Sequence, residues 1–145
     1  MADYQRGPHT VYDIKYHFVW VTKYRKPILK GDVALSVREI VRRICMEQEV
    51  SIIKGHVSYD YVHLFVSVPP HLYPASVTQS IKGKSSRFMF LEHPFLKKQL
   101  WGQHLWARGY FCTSSGTVTD DVIKQYIEHQ DKPLDDGFDI ADDAQ

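Results

Sequence analysis

Between Ser58 and Pro70 the side chains alternate one by one, and Pro69-Pro70 ends the alternation. A β-strand satisfies that pattern and a helix does not. On a period of two, Val62, Leu64, Val66 and Val68 point to one face, while Tyr61, His63, Phe65 and Ser67 point to the other. Such a strand belongs in a sheet with one face covered and the other available. A strand histidine is ordinarily a partly buried ring satisfied by one hydrogen bond. The pair Tyr61 and His63 therefore marks a site only if the rest of the chain supplies partners for it.

The remaining elements follow from the same periodicities. From His9 to Thr22, Tyr12, Ile14, Tyr16, Phe18 and Trp20 alternate with Val11, Asp13, Lys15, His17, Val19 and Val21, which predicts a long central strand. After the loop Lys23-Tyr24-Arg25-Lys26-Pro27, Gly31-Asp32 leads into a helix whose Val33, Val37, Ile40, Val41, Ile44 and Cys45 recur at helical spacing. Val50 to His56 reads as a strand that turns at Ser58-Tyr59-Asp60 into the alternating run, giving an antiparallel hairpin.

A helix from about Ala75 to Leu91 carries Val77, Ile81, Phe88 and Leu91, with the basic, small stretch Lys82-Gly83-Lys84-Ser85-Ser86-Arg87 in its middle. A last strand from Gly109 to Ser114 precedes a helix from about Thr119, as N-cap, to Gln130. This order predicts an α+β fold: an antiparallel sheet with helices packed on one face, a ferredoxin-like sandwich. The expected organisation is one domain over residues 9–132, with a flexible segment 1–8 before it and an acidic, disordered tail 133–145 after it.

With 145 residues, 43% of them apolar or aromatic, one core suffices. The net charge of +1 conceals an asymmetry: from Asp131 onward six Asp and one Lys give −5, leaving the preceding body at +6. A basic body suits a polyanionic partner, although a solvated mixed-charge surface gives the same count. Cys45 and Cys112 show neither scaffold density nor C-x-x-C spacing, so a reduced, cytoplasmic protein is expected. No apolar run approaches the ~20 residues needed to span a bilayer, and no export or membrane insertion is expected.

In the last helix Val122, Tyr126 and Gln130 are four apart and share a face beside the stripe Ile123 and Ile127. Tyr126 is open to two readings. It can be a half-packed tyrosine with its hydroxyl in water. It can also be a nucleophile that splits one phosphodiester displacement into two steps, and with a phenolic pKa near ~10 it would then need a metal or a base.

Four stretches, Asp60-Tyr61-Val62-His63-Leu64-Phe65-Val66-Ser67-Val68-Pro69-Pro70, Ile81-Lys82-Gly83-Lys84-Ser85-Ser86, Trp101 through Phe111, and Val122 through Gln130, together resemble the insertion-sequence-200-like transposases. These are single-tyrosine enzymes of the HUH class, and the resemblance runs from about His9 to Gln130. It implies that Tyr126 is the catalytic tyrosine, that His63 is the second histidine of the strand motif, and that Gln130 is the third metal ligand. It implies a divalent Mg or Mn ion that polarises the scissile phosphate while the tyrosine attacks and keeps the 5′-phosphate end. It further implies single-stranded DNA hairpins as substrate and a homodimer with a joined sheet, each site combining the histidines of one subunit with the tyrosine of the other.

The chain departs from that pattern at Tyr61, which stands where the family has its first histidine. A neutral phenol is a far poorer ligand than imidazole. Asp60 faces the opposite way in a regular strand and replaces it only if the strand bulges. Three explanations stay open: a crippled copy, a deliberately altered sequence, or a working site with a changed ligand set.

Lys82, Lys84, Arg87, Ser85 and Arg108 are the candidate DNA contacts, and Trp101, Trp106, Tyr110 and Phe111 are either base-stacking or core aromatics. His104 and His129 are expected at the periphery. The leading reading is a metal-dependent transposase that cuts and rejoins single-stranded DNA. The alternatives are an inactive DNA-hairpin binder of the same fold and, third, an RNA-hairpin binder.

Overall fold

The computed structural model describes residues 4–7, 9–100, 104–114, 121, 122, 125, 126 and 128. In chain order its elements are β1 (Gln5–Arg6), β2 (Val11–Tyr12), β3 (Lys15–Val21), α1 (Gly31–Glu47), β4 (Ser51–Val57), β5 (Tyr61–Ser67), α2 (Pro74–Glu92), α3 (Leu96–Leu100) and β6 (Phe111–Thr113). The main sheet has the order β4-β5-β3-β6, and every neighbouring pair in it is antiparallel. The strand ending one βα unit thus sits two places from the strand that began it, with a strand of the other unit between them. That is the interleaved arrangement of the ferredoxin-like sandwich.

Alternation decides which face the helices cover. Phe18 and Trp20 of β3 and Val62, Leu64 and Val66 of β5 are buried in one cluster with Val33, Val37, Ile40, Val41, Ile44 and Cys45 of α1. The apolar stripe expected for α1 is therefore the stripe it buries. In α2 the phase differs from expectation: Val77 and Ile81 are buried, but Phe88 is 37% and Leu91 65% exposed. The buried row steps by four through Val77, Ile81, Ser85 and Met89, so a serine occupies a core position that periodicity of apolar residues does not reveal.

Two further expectations are corrected. The single strand predicted from His9 to Thr22 is broken, because Val11–Tyr12 pairs back onto Gln5–Arg6 whereas Lys15–Val21 pairs with β5. The chain changes partners at Asp13-Ile14, and Gly7 N–H donates to the Thr10 carbonyl at 2.6 Å to close the small ribbon. Pairing accordingly begins within the segment 1–8 that was expected to be flexible. Helix α3 is too short for its periodicity to register, yet both its leucines, Leu96 and Leu100, are buried. The predicted tail 133–145 lies outside the described residues.

Candidate functional site

The face of the sheet away from the helices carries His17, Val19 and Val21 of β3 beside Tyr61, His63 and Phe65 of β5. Register sets this up: Val19 is the cross-strand partner of His63, and His17 is the partner of Phe65. His17 and His63 are therefore diagonal neighbours. Their rings meet, with His17 Nδ1 2.9 Å from His63 Nε2. His17 is only 6% exposed and lies flat on Phe65, centroids 4.1 Å apart and planes 9° from parallel. Stacking on one side and the imidazole contact on the other fix the orientation of the His17 ring.

Val19 and Val21 form a second small core on this face, and Tyr61, Ala107, Phe111 and Tyr126 pack against it. Residues 121, 122, 125, 126 and 128 are helical, in agreement with the last predicted helix; Thr119, Gln130 and His129 lie outside the described residues. The Tyr126 ring sits 6.0 Å from that of Phe111. Among the described residues its hydroxyl is buried without a hydrogen-bond partner, and burial pushes its pKa up to about 12. Tyr126 is thus brought to the same sheet face as His63, against the Val19–Val21 pair, with its phenol held protonated.

Tyr61 shares this face, its ring packed on the valines and 5.9 Å from the ring of His56. Asp60 does not replace it. The one register shift of the β4–β5 pair falls at Ile52/Lys54, and the Asp60 carboxylate accepts from Arg25 Nε at 3.0 Å. Among the described residues no three His, Cys, Asp or Glu side chains are grouped to hold a metal ion. His17 and His63 meet head-on, nitrogens 2.9 Å and ring centroids 5.2 Å apart, so the facing nitrogens are engaged with each other and the pair is not a chelate.

The basic residues separate into two kinds. A cleft of about 1090 Å³ is lined by Lys23, Tyr24, Lys82, Arg87, Lys97, His104 and Arg108, together with parts of α2 and the segment after α3. Arg87 and Arg108, both predicted contacts, face it. Lys23 and Lys97 were not singled out in the sequence, since each lies in a short stretch with no motif around it. Lys84 is exposed but does not line the cleft.

Ser85 is corrected: it is fully buried, accepts the Trp106 indole N–H at 2.8 Å, and presents no hydroxyl to a ligand. Lys82 is corrected in part. Its ammonium donates to the carbonyls of Ala107 at 2.9 Å and Gly109 at 2.6 Å, and burial lowers its pKa. It clamps the segment before β6 to α2 and has one N–H left for a phosphate.

The aromatics resolve similarly. Trp106 is a core residue, edge-on to Trp20 with centroids 5.8 Å apart. Tyr110 packs on the main core and Phe111 on the valine pair, while Trp101 lies outside the described residues. No described helix is long and apolar enough to cross a membrane.

Comparison with known proteins agrees with this fold. Residues 10–130 match the family described as Transposase IS200 like. The chain is 36% identical over 126 residues to the ISDra2 transposase TnpA of Deinococcus radiodurans, covering 87% of this chain and 90% of that one. It is 32% identical over 130 residues to the transposase for insertion sequence element IS200 of Salmonella typhimurium, covering 90% and 85%. A crystal structure of a Deinococcus radiodurans R1 transposase superposes with a TM-score of 0.77 at 35% identity, covering 87% of this chain and 97% of that one. A REP-associated tyrosine transposase bound to a REP hairpin shares the fold alone, with a TM-score of 0.53 at 14% identity over 89% of this chain and 68% of that one. The sheet, its open face with His63 and Tyr126, and these relatives make the chain a member of the IS200-like transposase family.

Proposed function

We propose that this transposase cleaves and rejoins single-stranded DNA at hairpin-bearing ends through a covalent link to Tyr126. The observation that carries the reading is that Tyr126, packed on the Val19–Val21 pair, and His63, cross-strand partner of Val19, lie on the same sheet face. In the first step the Tyr126 oxygen attacks the scissile phosphorus, the P–O3′ bond breaks, and the 3′ oxygen leaves as a hydroxyl. The phenolic proton is given up to solvent or to a base. In the second step the 3′ hydroxyl of another strand attacks the phosphotyrosine, and the tyrosine is released. One phosphodiester replaces another, so no external energy source is needed.

His63, with Gln130, would hold a Mg or Mn ion, whose contribution when bound is to neutralise charge on the scissile phosphate. The chain's own residues do the rest. A phenol with a pKa of about 12 is phenolate in only about one part in 10⁵ at neutral pH. Attack therefore requires Tyr126 to leave its apolar seat on Val19, Val21 and Phe111 or to meet a base there. The cleft lined by Lys23, Arg87, Lys97 and Arg108 supplies cations for the DNA backbone. A second copy of the chain is the proposed partner, with its sheet joined to this one at an edge.

The test is to incubate the protein with a hairpin-bearing single strand and Mn or Mg and look for a protein–DNA adduct that survives denaturation. An adduct that disappears in Tyr126→Phe supports the reading. Its absence in the unaltered protein with its appearance in Tyr61→His identifies an enzyme damaged at one ligand. Tight binding without any adduct in both proteins overturns cleavage and leaves the second reading, a hairpin-binding protein, which the phenol at position 61 favours.

A further inference from the structure

The turn that leads into β6 touches the basic cleft and the tyrosine seat at once. Ala107 packs on the Val19 and Val21 pair where Tyr126 also rests, and the next residue, Arg108, lines the cleft. The residues on either side of Arg108 both give their carbonyls to the Lys82 ammonium, Ala107 at 2.9 Å and Gly109 at 2.6 Å. We propose that Lys82 is a positioning residue for the cleavage step: by pinning this turn it fixes a phosphate held at Arg108 relative to the Tyr126 hydroxyl, and so selects which phosphodiester is cut. The inference rests on the reading of Tyr126 as the nucleophile and of the cleft as the track for the DNA backbone.

The local backbone explains why a clamp matters here. Residues 107–110 are neither helix nor strand. On one side Ala107 N–H donates to the Val21 carbonyl at 2.9 Å, and on the other Phe111 pairs with Val19. Between these anchors Arg108 and Gly109 are exposed, and Gly109 takes a φ of +80°, a left-handed conformation that glycine adopts without strain. Taking away the ammonium leaves Arg108 beside a glycine with both flanking carbonyls released.

The chemistry of Lys82 fits the role. Its two bonds to backbone are charge-assisted, and such bonds are roughly twice as strong as neutral ones. A lysine serving only as a phosphate contact has no reason to commit two of its three N–H groups to carbonyls. Placement is what an in-line displacement depends on most: a misplacement of about 1 Å can slow a reaction about 10²-fold. A strand free to slide at Arg108 also offers the tyrosine a neighbouring phosphodiester. Lys82, Arg108 and Tyr126 belong to one chain, so the relation holds whichever subunit supplies the histidines.

The test uses the full chain with manganese(II) chloride and an end-labelled, hairpin-bearing single strand at saturating concentration. It is run in the unaltered sequence or, where only that variant forms the protein–DNA adduct, in Tyr61→His. Single-turnover adduct formation and the position of the cut are read together. Lys82→Met is expected to slow the adduct about 10²-fold and to spread the cut over neighbouring phosphodiesters, with hairpin affinity lowered far less. Lys82→Arg, which can donate to both carbonyls, is expected to restore a single cut. Ser85→Ala loosens α2 from Trp106 but leaves the clamp, and should lower the urea midpoint while keeping the cut at one position.

A single, unshifted cut in Lys82→Met overturns the role of Lys82 and leaves Tyr126 as the nucleophile. An adduct formed by neither the unaltered protein nor Tyr61→His overturns the cleavage reading and this inference with it. One measurement needs no variant to fold: without added metal, the nitrogen-15 NMR signal of the Lys82 ammonium, slowed in proton exchange by its two acceptors, should persist when the strand binds. Its disappearance on binding overturns the clamp.

Discussion

The two faces of the central sheet are built from the same strands and do opposite things. On the covered face, Phe18, Trp20, Val62, Leu64 and Val66 meet two helices, and burial is the whole of their role. On the open face, one residue away in each strand, His17, Tyr61, His63 and Phe65 surround a two-valine core on which Tyr126 rests. The first face determines that the domain folds, and the second what the folded domain can do. Because side chains alternate strictly, a substitution should disturb one of these and spare the other.

The largest expected effect tests that separation directly. Trp20→Ala should cost about 3–5 kcal/mol in urea unfolding, from lost burial and the cavity left against Trp106. Tyr126→Phe should leave stability unchanged or slightly raised, since it removes a buried hydroxyl with no described partner. A large destabilisation by Tyr126→Phe would break the comparison, because the open face would then be structural as well.

Next is Ser85→Ala, which strands the buried Trp106 indole N–H and should cost about 1–3 kcal/mol without altering the salt dependence of DNA binding. Arg87→Ala should do the reverse, keeping stability while lowering the slope of log affinity against log salt by about 1. Tyr61→His should then raise metal-dependent adduct formation at least ~10-fold in a gel assay, with urea unfolding moved little.

The last effect is confined to alkaline pH. Burial raises the folded-state pKa of Tyr126 from 10.0 to about 12, and that of Cys45 from 9.0 to about 12. Both groups are acids kept neutral by the fold. Their contribution to stability is full below the unfolded pKa and is lost as pH rises through the folded one. Thermal melts should therefore fall from about pH 9 toward pH 12, less steeply in Cys45→Ala on the covered side and in Tyr126→Phe on the open side.

Much of the covered face was legible because burial imposes periods that a sequence displays. The six buried residues of α1 and the alternation of β5 could be read off directly. The open face was legible only in part. Roles for His63, Tyr126 and Gln130 were assigned through a family resemblance, and Gln130 lies outside the described residues; His17 could be placed on the right face of its strand but not beside His63. That contact depends on the register between two strands with a helix and another strand between them in the chain, and no local period encodes register.

Ser85 failed for a related reason. Its burial answers an indole N–H arriving from a distant segment, so the polar, basic surroundings in α2 pointed the wrong way. The strand break at Asp13-Ile14 reflects a change of pairing partner that the continued alternation of Val11 to Val21 conceals.

The strand order has a consequence for how the molecule comes into being. β4 and β5 are joined by a three-residue turn and can pair as soon as they exist. β6, by contrast, must return to β3 across nearly the whole domain, with Phe111 opposite Val19. Contacts so remote in sequence bear the largest loop-closure cost and form late. Both histidines precede that closure in the chain and Tyr126 follows it. During synthesis both histidines are therefore present well before Tyr126 emerges, and the unfinished chain does not yet contain the tyrosine that the proposed reaction requires.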